Sequence, residues 1–205
     1  MTVDTVTAIA TEARRPSRRD LPAGAIDHEA ATRAVFDLLV AMGQDPTSEE
    51  LIHTPRRVVT SLASSLTPEP FAMTVFPNDA GYDEMVIVRD ISFQSLCSCH
   101  MLPFGGTAHV AYVPRDHIVG LSKIVRVVEH FSRGLQTQSR LTGEVADAME
   151  TALEPRGVGV AMKARHQCMA ASRGESVGPD VITSAMRGSL GADLETRDQF
   201  TRLVR

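Results

Sequence analysis

The sequence contains no tryptophan and only two tyrosines and seven phenylalanines, so aromatics make up 4% of its 205 residues. Proteins that bind single-stranded nucleic acid stack bases on aromatic rings, and this chain has few to offer. It also lacks positive charge in bulk: the formal net charge is -4, which argues against binding a phosphate backbone but leaves room for one local basic pocket. No stretch approaches the ~20 apolar residues of a membrane-spanning helix. The N-terminal stretch carries Arg14, Arg15, Arg18 and Arg19 with no apolar segment behind them, unlike a secretory signal. Residues 1–24 therefore read as a flexible basic arm. A cytoplasmic protein without nucleic-acid or membrane partners is expected. There, three cysteines, an odd count, read as reduced thiols, ligands or catalysts rather than disulfide partners.

What is present fits an ordinary globular domain, at 43% hydrophobic and 22% charged residues, and residues 25–205 are enough for one with a sizeable core. From His28 to Met42, the apolar positions Ala31, Val35, Leu38, Leu39 and Met42 recur at helical spacing. Asp45-Pro46 and Thr54-Pro55 each read as a cap followed by proline at the first helical position. The stretch from Pro68 to Tyr82 reads as a loop. Strands are expected over Met85–Leu96 and, after a Gly105-Gly106 turn, over Thr107–Val113. Helices follow over Ser122–Leu135 and Leu141–Leu153, and strands over Gly157–Ala164 and Val181–Met186. The fold class is α+β: N-terminal helices, then a β-β-α-α-β-β unit whose antiparallel sheet carries its helices on one face. Four strands so arranged leave open edges, which copies of the chain can close.

All three cysteines lie near a histidine. Cys97, Cys99 and His100 sit together at a strand end, and His166 and Cys168 on a later strand, where a spacing of two would point both to one side. Thiolate and imidazole are borderline-soft donors suited to Zn²⁺, and C-x-x-H is a common zinc spacing. Cys97, His100 and Cys168 would leave a fourth position for water, which separates a catalytic zinc from a structural one. Cys99 is an alternative to Cys97 as ligand, or an acid. The bland alternative is a set of small buried thiols beside a core histidine. Farther on, Gly120-Leu121-Ser122-Lys123 opens a helix on which Lys123 and Arg126 share a face. Backbone N–H groups there add anion affinity, and Arg57 and Arg173 are further candidate phosphate ligands. The bland alternative is a solvated basic face.

These residues resemble the GTP cyclohydrolase I family from about Ala31 to the C-terminus. The resemblance rests on Thr54-Pro55-Arg56-Arg57-Val58, Ser95-Leu96-Cys97, His100-Met101-Leu102-Pro103-Phe104-Gly105-Gly106, His109-Val110-Ala111-Tyr112, Gly120-Leu121-Ser122-Lys123, Gln136-Thr137-Gln138, Leu141-Thr142 and His166-Gln167-Cys168-Met169. It implies the tunnelling fold, assembled as a homodecamer with sites between subunits, and zinc held by Cys97, His100 and Cys168. It also implies that Ser122, Lys123, Arg126 and Arg173 meet the triphosphate and ribose of a purine nucleoside triphosphate, with Arg57 arriving from a neighbouring subunit. His166 would be the acid–base residue and Gln138 a base-recognition residue. The family's reaction opens the imidazole ring of GTP and yields 7,8-dihydroneopterin triphosphate and formate.

Four departures fall in the implied site. Where the family reads Cys-Glu-His-His, this chain has Cys97-Ser98-Cys99-His100, so Cys99 replaces a catalytic histidine that is not a ligand. Where the family has Gln-Glu, this chain has Gln138-Ser139, which removes the carboxylate that accepts two charge-assisted hydrogen bonds from guanine. Cys168 to Arg173 holds one residue more than the family spacing. A thiol with an ordinary pKa of ~8.5 is also less well poised for proton transfer than imidazole at ~6.5. The alternatives are a paralogue that acts on another purine nucleotide or stops at the formamidopyrimidine, and a non-catalytic nucleotide-binding homologue.

Overall fold

The structure, a computed structural model, describes residues 25–174 and 176–204. The basic arm expected over residues 1–24 lies outside the described residues. The chain divides into two units, Met1–Thr60 and Ser61–Arg205, with the boundary inside a helix.

In the first unit, α1 spans His28–Ala41, and the Asp27 carboxylate caps it by accepting the N–H of Ala30 at 2.9 Å. The second helix, α2 (Thr54–Leu66), starts at the expected Thr54-Pro55 signal. Asp45-Pro46 does not open a helix. The Asp45 side chain accepts the N–H of Thr47, two residues on, at 2.9 Å. That local bond favours a turn over a helical cap, and the chain runs through turns to His53.

The second unit is built on one sheet. Its strands are β2 (Val86–Cys97), β3 (Pro103–Val113), β5 (Leu135–Gln136), β6 (Gly157–His166) and β7 (Asp180–Gly188), in the order β5-β2-β3-β6-β7. All neighbours are antiparallel except the short β2/β5 pair. Two further strands, β1 (Val75–Pro77) and β4 (His117–Val119), pair antiparallel. So the stretch read as a loop from Pro68 to Tyr82 contains a strand, whose partner lies some forty residues away and leaves no local signal. The Gly105-Gly106 pair is not a turn but lies inside β3. A Cβ on Gly106 would fall 2.0 Å from the Lys163 carbonyl of β6, and one on Gly105 2.8 Å from the Phe93 carbonyl of β2. Close approach of backbone on both sides, rather than a bend, is what these glycines serve.

Between the two strand pairs come α3 (Leu121–Ser132) and α4 (Gln138–Leu153). The α3 helix buries Ile124, Val127 and Val128; α4 buries Leu141, Val145, Ala146, Met149 and Leu153. These stripes meet Phe93, Phe104, Val110, Tyr112, Val158, Val160 and Met162 from one face of the sheet. Each large apolar side chain so buried contributes about 1.5–3 kcal/mol relative to exposure. This is the expected tunnelling-fold layer. The other face is also partly covered: α6 (Ser189–Ala192) and α7 (Leu194–Leu203) bring Leu190 and Phe200 onto Ala111, Ile87, Ala161 and Met186. The sheet therefore has helices on both faces within the chain, the second contributed by the C-terminal segment.

Candidate metal centre

Strand β2 ends at Cys97, and the chain turns back into β3 through residues 98–102. The turn is held by Cys97 N–H donating to the Leu102 carbonyl and Met101 N–H donating to the Cys97 carbonyl, at 2.9 and 2.8 Å, with Met101 at a φ of 54°. It places His100 over Cys97, with Nδ1 3.8 Å from Sγ. The third member arrives from the far side of β3. Strand β6 ends at His166, and α5 (Gln167–Arg173) begins at once. Cys168 thus sits in the first turn of a helix, not on the strand expected from its spacing to His166.

The donor atoms of Cys97, His100 and Cys168 all lie within 4.8 Å of one another. A tetrahedral zinc with sulfur and nitrogen ligands holds them about 3.5–3.8 Å apart, so small side-chain movements close the set. Two thiols and an imidazole are the donor chemistry zinc prefers. Cys97 is buried, Cys168 half-buried and His100 exposed, which leaves one side open. Cys99 is exposed and does not belong to the converging set.

The electrostatics favour ionising the thiols in order. The hydrogen bond with His100, foremost, draws the Cys97 thiol down to about 7. Burial, and then the charge on Cys97, push Cys168 up. Protons compete with a metal for these sulfurs. Below the Cys97 value two thiol protons must leave, and above it only the one on Cys168. Apparent zinc affinity, measured by chelator competition between pH 6 and 9, is therefore expected to rise throughout. The rise should be steeper below pH 7, where Cys97 must also lose its proton, than above it. A profile flat in pH would rule out thiolate ligation.

Beside the cluster, the His166 ring stacks on Phe104, with centroids 4.5 Å apart and planes 3° from parallel. Its Nε2 lies 2.8 Å from Gln138 Oε1. Burial pushes the His166 pKa below its usual value, so the ring is held neutral more readily than a free histidine. Gln138 is the first residue of α4 and is buried. The adjacent Ser139 is exposed at the same helix start.

The candidate phosphate ligands are distributed differently. Ser122, Lys123 and Arg126 occupy the first turns of α3, where the N-cap residue is Gly120 and brings no capping side chain. Arg126 lines a cavity of about 460 Å³ with Glu69, Gln94, Glu129, His130 and Arg133. None of the cluster residues lines that cavity, which therefore lies away from the thiols. Arg173 is the last residue of α5, and Arg57 is exposed on α2, in the other unit. The sequence reading missed Phe104, Thr142 and Thr183 as supports of the His166 region. Phe104 and Thr142 fall within motifs that carry the family resemblance, whereas nothing in the spacing marks Thr183.

The sequence profile of GTP cyclohydrolase I matches residues 31–205. Among similar curated proteins, the GTP cyclohydrolase 1 of Aquifex aeolicus is 45% identical over 181 residues, covering 88% of this chain and 98% of its own. That of Chlorobium phaeovibrioides is 46% identical over 183 residues, covering 86% and 81%. A Synechococcus protein of the same name is 42% identical over 193 residues, covering 92% and 84%. With the profile spanning nearly the whole described chain and the thiol–imidazole cluster falling inside it, this chain belongs to the GTP cyclohydrolase I family.

Proposed function

We propose that this chain is a zinc-dependent hydrolase that opens the purine imidazole ring of GTP, giving 7,8-dihydroneopterin triphosphate and formate. The observation that carries the reading is the convergence of Cys97, His100 and Cys168 beside a ring-stacked, buried-side His166. Zinc bound there would supply Lewis acidity and a water of lowered pKa. The chain's own residues do the rest. His166, held on Phe104, moves a proton at the imidazole portion of the purine. Cys99, exposed on the turn beside His100, is the second candidate proton carrier. Ser122, Lys123 and Arg126, with Arg173, hold the triphosphate and ribose at the α3 helix start, where the backbone N–H groups favour anions.

The cavity lined by Arg126 lies apart from the cluster, which fits a site completed between copies of the chain. In such an assembly Lys123 and Arg126 of one copy would serve the zinc of another, and Arg57 would come from a neighbour. The strands support this: β7 pairs only with β6 among the described residues, and an unpaired edge is a docking surface for another strand. We assign the assembly as a homodecamer. The three free cysteines, two of them in the cluster, fit a reducing cytoplasm. No helix among the described residues is long and apolar enough to cross a membrane.

A second reading has its own support. Ser139, exposed at the α4 start, and Cys99, outside the cluster, stand where the family carries a carboxylate and an imidazole. A paralogue acting on another purine nucleotide, or stopping at the formamidopyrimidine, would need neither. Mass-spectrometric product analysis of the zinc-loaded protein with a panel of purine nucleotides separates the readings. Dihydroneopterin triphosphate and formate from GTP would establish the first. A formamidopyrimidine, or turnover of a different nucleotide alone, would replace it with the second, and no turnover at all would leave a binding protein.

A further inference from the structure

Gln138 is a polar residue on the buried stripe of α4, in line with Leu141, Thr142 and Val145, and a buried carboxamide must place all its hydrogen-bonding atoms. Its Nε2 faces three acceptors: the carbonyls of Val181 at 2.9 Å and Met162 at 3.2 Å, and Thr183 Oγ1 at 3.2 Å. Two of these are carbonyl oxygens, which only accept. A flipped amide would set its own oxygen against both, so the nitrogen belongs on that side and Oε1 on the other. The threonines reinforce the direction. Thr142 donates its hydroxyl to the Gln138 carbonyl at 2.7 Å. Its contact with Thr183 Oγ1, also 2.7 Å, must then be donated by Thr183. That leaves Thr183 Oγ1 as an acceptor toward the Gln138 amide, whose two hydrogens are shared among the three acceptors.

Oε1 of Gln138 is thereby an obligate acceptor, 2.8 Å from His166 Nε2. In the neutral imidazole one nitrogen donates and the other accepts, so Nε2 must carry the hydrogen. Stacking on Phe104 fixes the plane of the ring, but a half-turn about the Cβ–Cγ bond keeps that plane while exchanging nitrogens for carbons. The bond to Gln138 selects between the two orientations. We infer that Gln138 is a positioning residue for His166, holding the ring in one rotamer and one tautomer, with Nδ1 as its only lone pair. Its carboxamide is committed to the protein, so discrimination among bases falls to other groups. This deepens the reading in which His166 moves a proton, and rests on it for its catalytic consequence but not for its geometry.

The test uses the zinc-loaded protein labelled with ¹⁵N-histidine and sedimented for magic-angle-spinning NMR, with His166 assigned by its disappearance in His166→Asn. The neutral His166 ring should show the hydrogen on Nε2, with the other tautomer below about a tenth. In Gln138→Leu, which keeps the bulk and loses the acceptor, that preference should vanish. The variant's kcat should fall about 10²-fold, as for a reacting group displaced by an ångström, with KM changed less than about threefold. A hydrogen on Nδ1 in the unsubstituted protein overturns the inference whether or not the variant folds. So does a Gln138→Leu protein whose KM rises while kcat and tautomer stay as they were, because that pattern belongs to a base-recognition residue. If the protein turns over no nucleotide, the proposed reaction fails, and the tautomer alone still decides the role of Gln138.

Discussion

Cys168→Ser protein, purified from zinc-supplemented medium, is expected to carry less than about a tenth of a zinc per chain, against about one for the unsubstituted protein. The side chains differ by one atom, but a serine hydroxyl does not ionise near neutral pH and is a harder, poorer donor than a thiolate. Cys97 and His100 come from one turn and would grip the ion from one side only. The fold should survive: Cys168 is half-buried at the start of a short helix, and an unchanged far-ultraviolet dichroism spectrum would show it. Full zinc retention in that folded variant would falsify the ligand set. The matching Cys99→Ser variant should keep its zinc, since that thiol lies outside the converging donors; loss of metal there would exchange the roles of the two cysteines of the turn.

The second large effect concerns the base. Ser139→Glu is expected to raise kcat/KM for GTP relative to ITP, which lacks the 2-amino group, by about 10²-fold. A carboxylate there can accept two hydrogen bonds from guanine and only one from hypoxanthine. Ser139 is exposed, so the longer side chain has room, and a negative charge in the first turn of α4 is favourable to the helix. A gain in the ratio would therefore report on recognition rather than on repaired stability. An unchanged ratio would mean that guanine does not reach this helix start.

The sheet and its two central helices were legible because their periodicities are local. The apolar alternation of Val158, Val160 and Met162 and the 3.6-residue spacing in α3 and α4 survive into buried faces with boundaries shifted by a few residues. The thiol–imidazole grouping was legible too, because Cys97 and His100 are neighbours and the third donor carries its own chemical signature. What escaped depends on distant partners or on local competition. The β1–β4 pair exists only when residues 75 and 119 meet. Asp45 looks like a helix cap until its side chain is spent on Thr47. Helices α6 and α7 are too short to announce the sheet face they cover. Gln138 was readable in part: a glutamine in register with Leu141 and Val145 is buried by pattern and needs partners. Which partners, however, is settled by the β6–β7 register that brings Met162 and Thr183 together.

Cys168 and Arg173 are joined by a helix rather than by a loop, and that changes what one residue of length means between them. A loop absorbs an extra residue as slack. A helix converts it into a rotation of about 100°. Residues four apart emerge about 40° from one another, side by side; residues five apart emerge about 140° apart, on nearly opposite flanks. The additional residue that the family resemblance implies between them is thus a change of bearing rather than of reach. It sets the Cα–Cβ bond of Arg173 in a different quarter of the compass from that of Cys168.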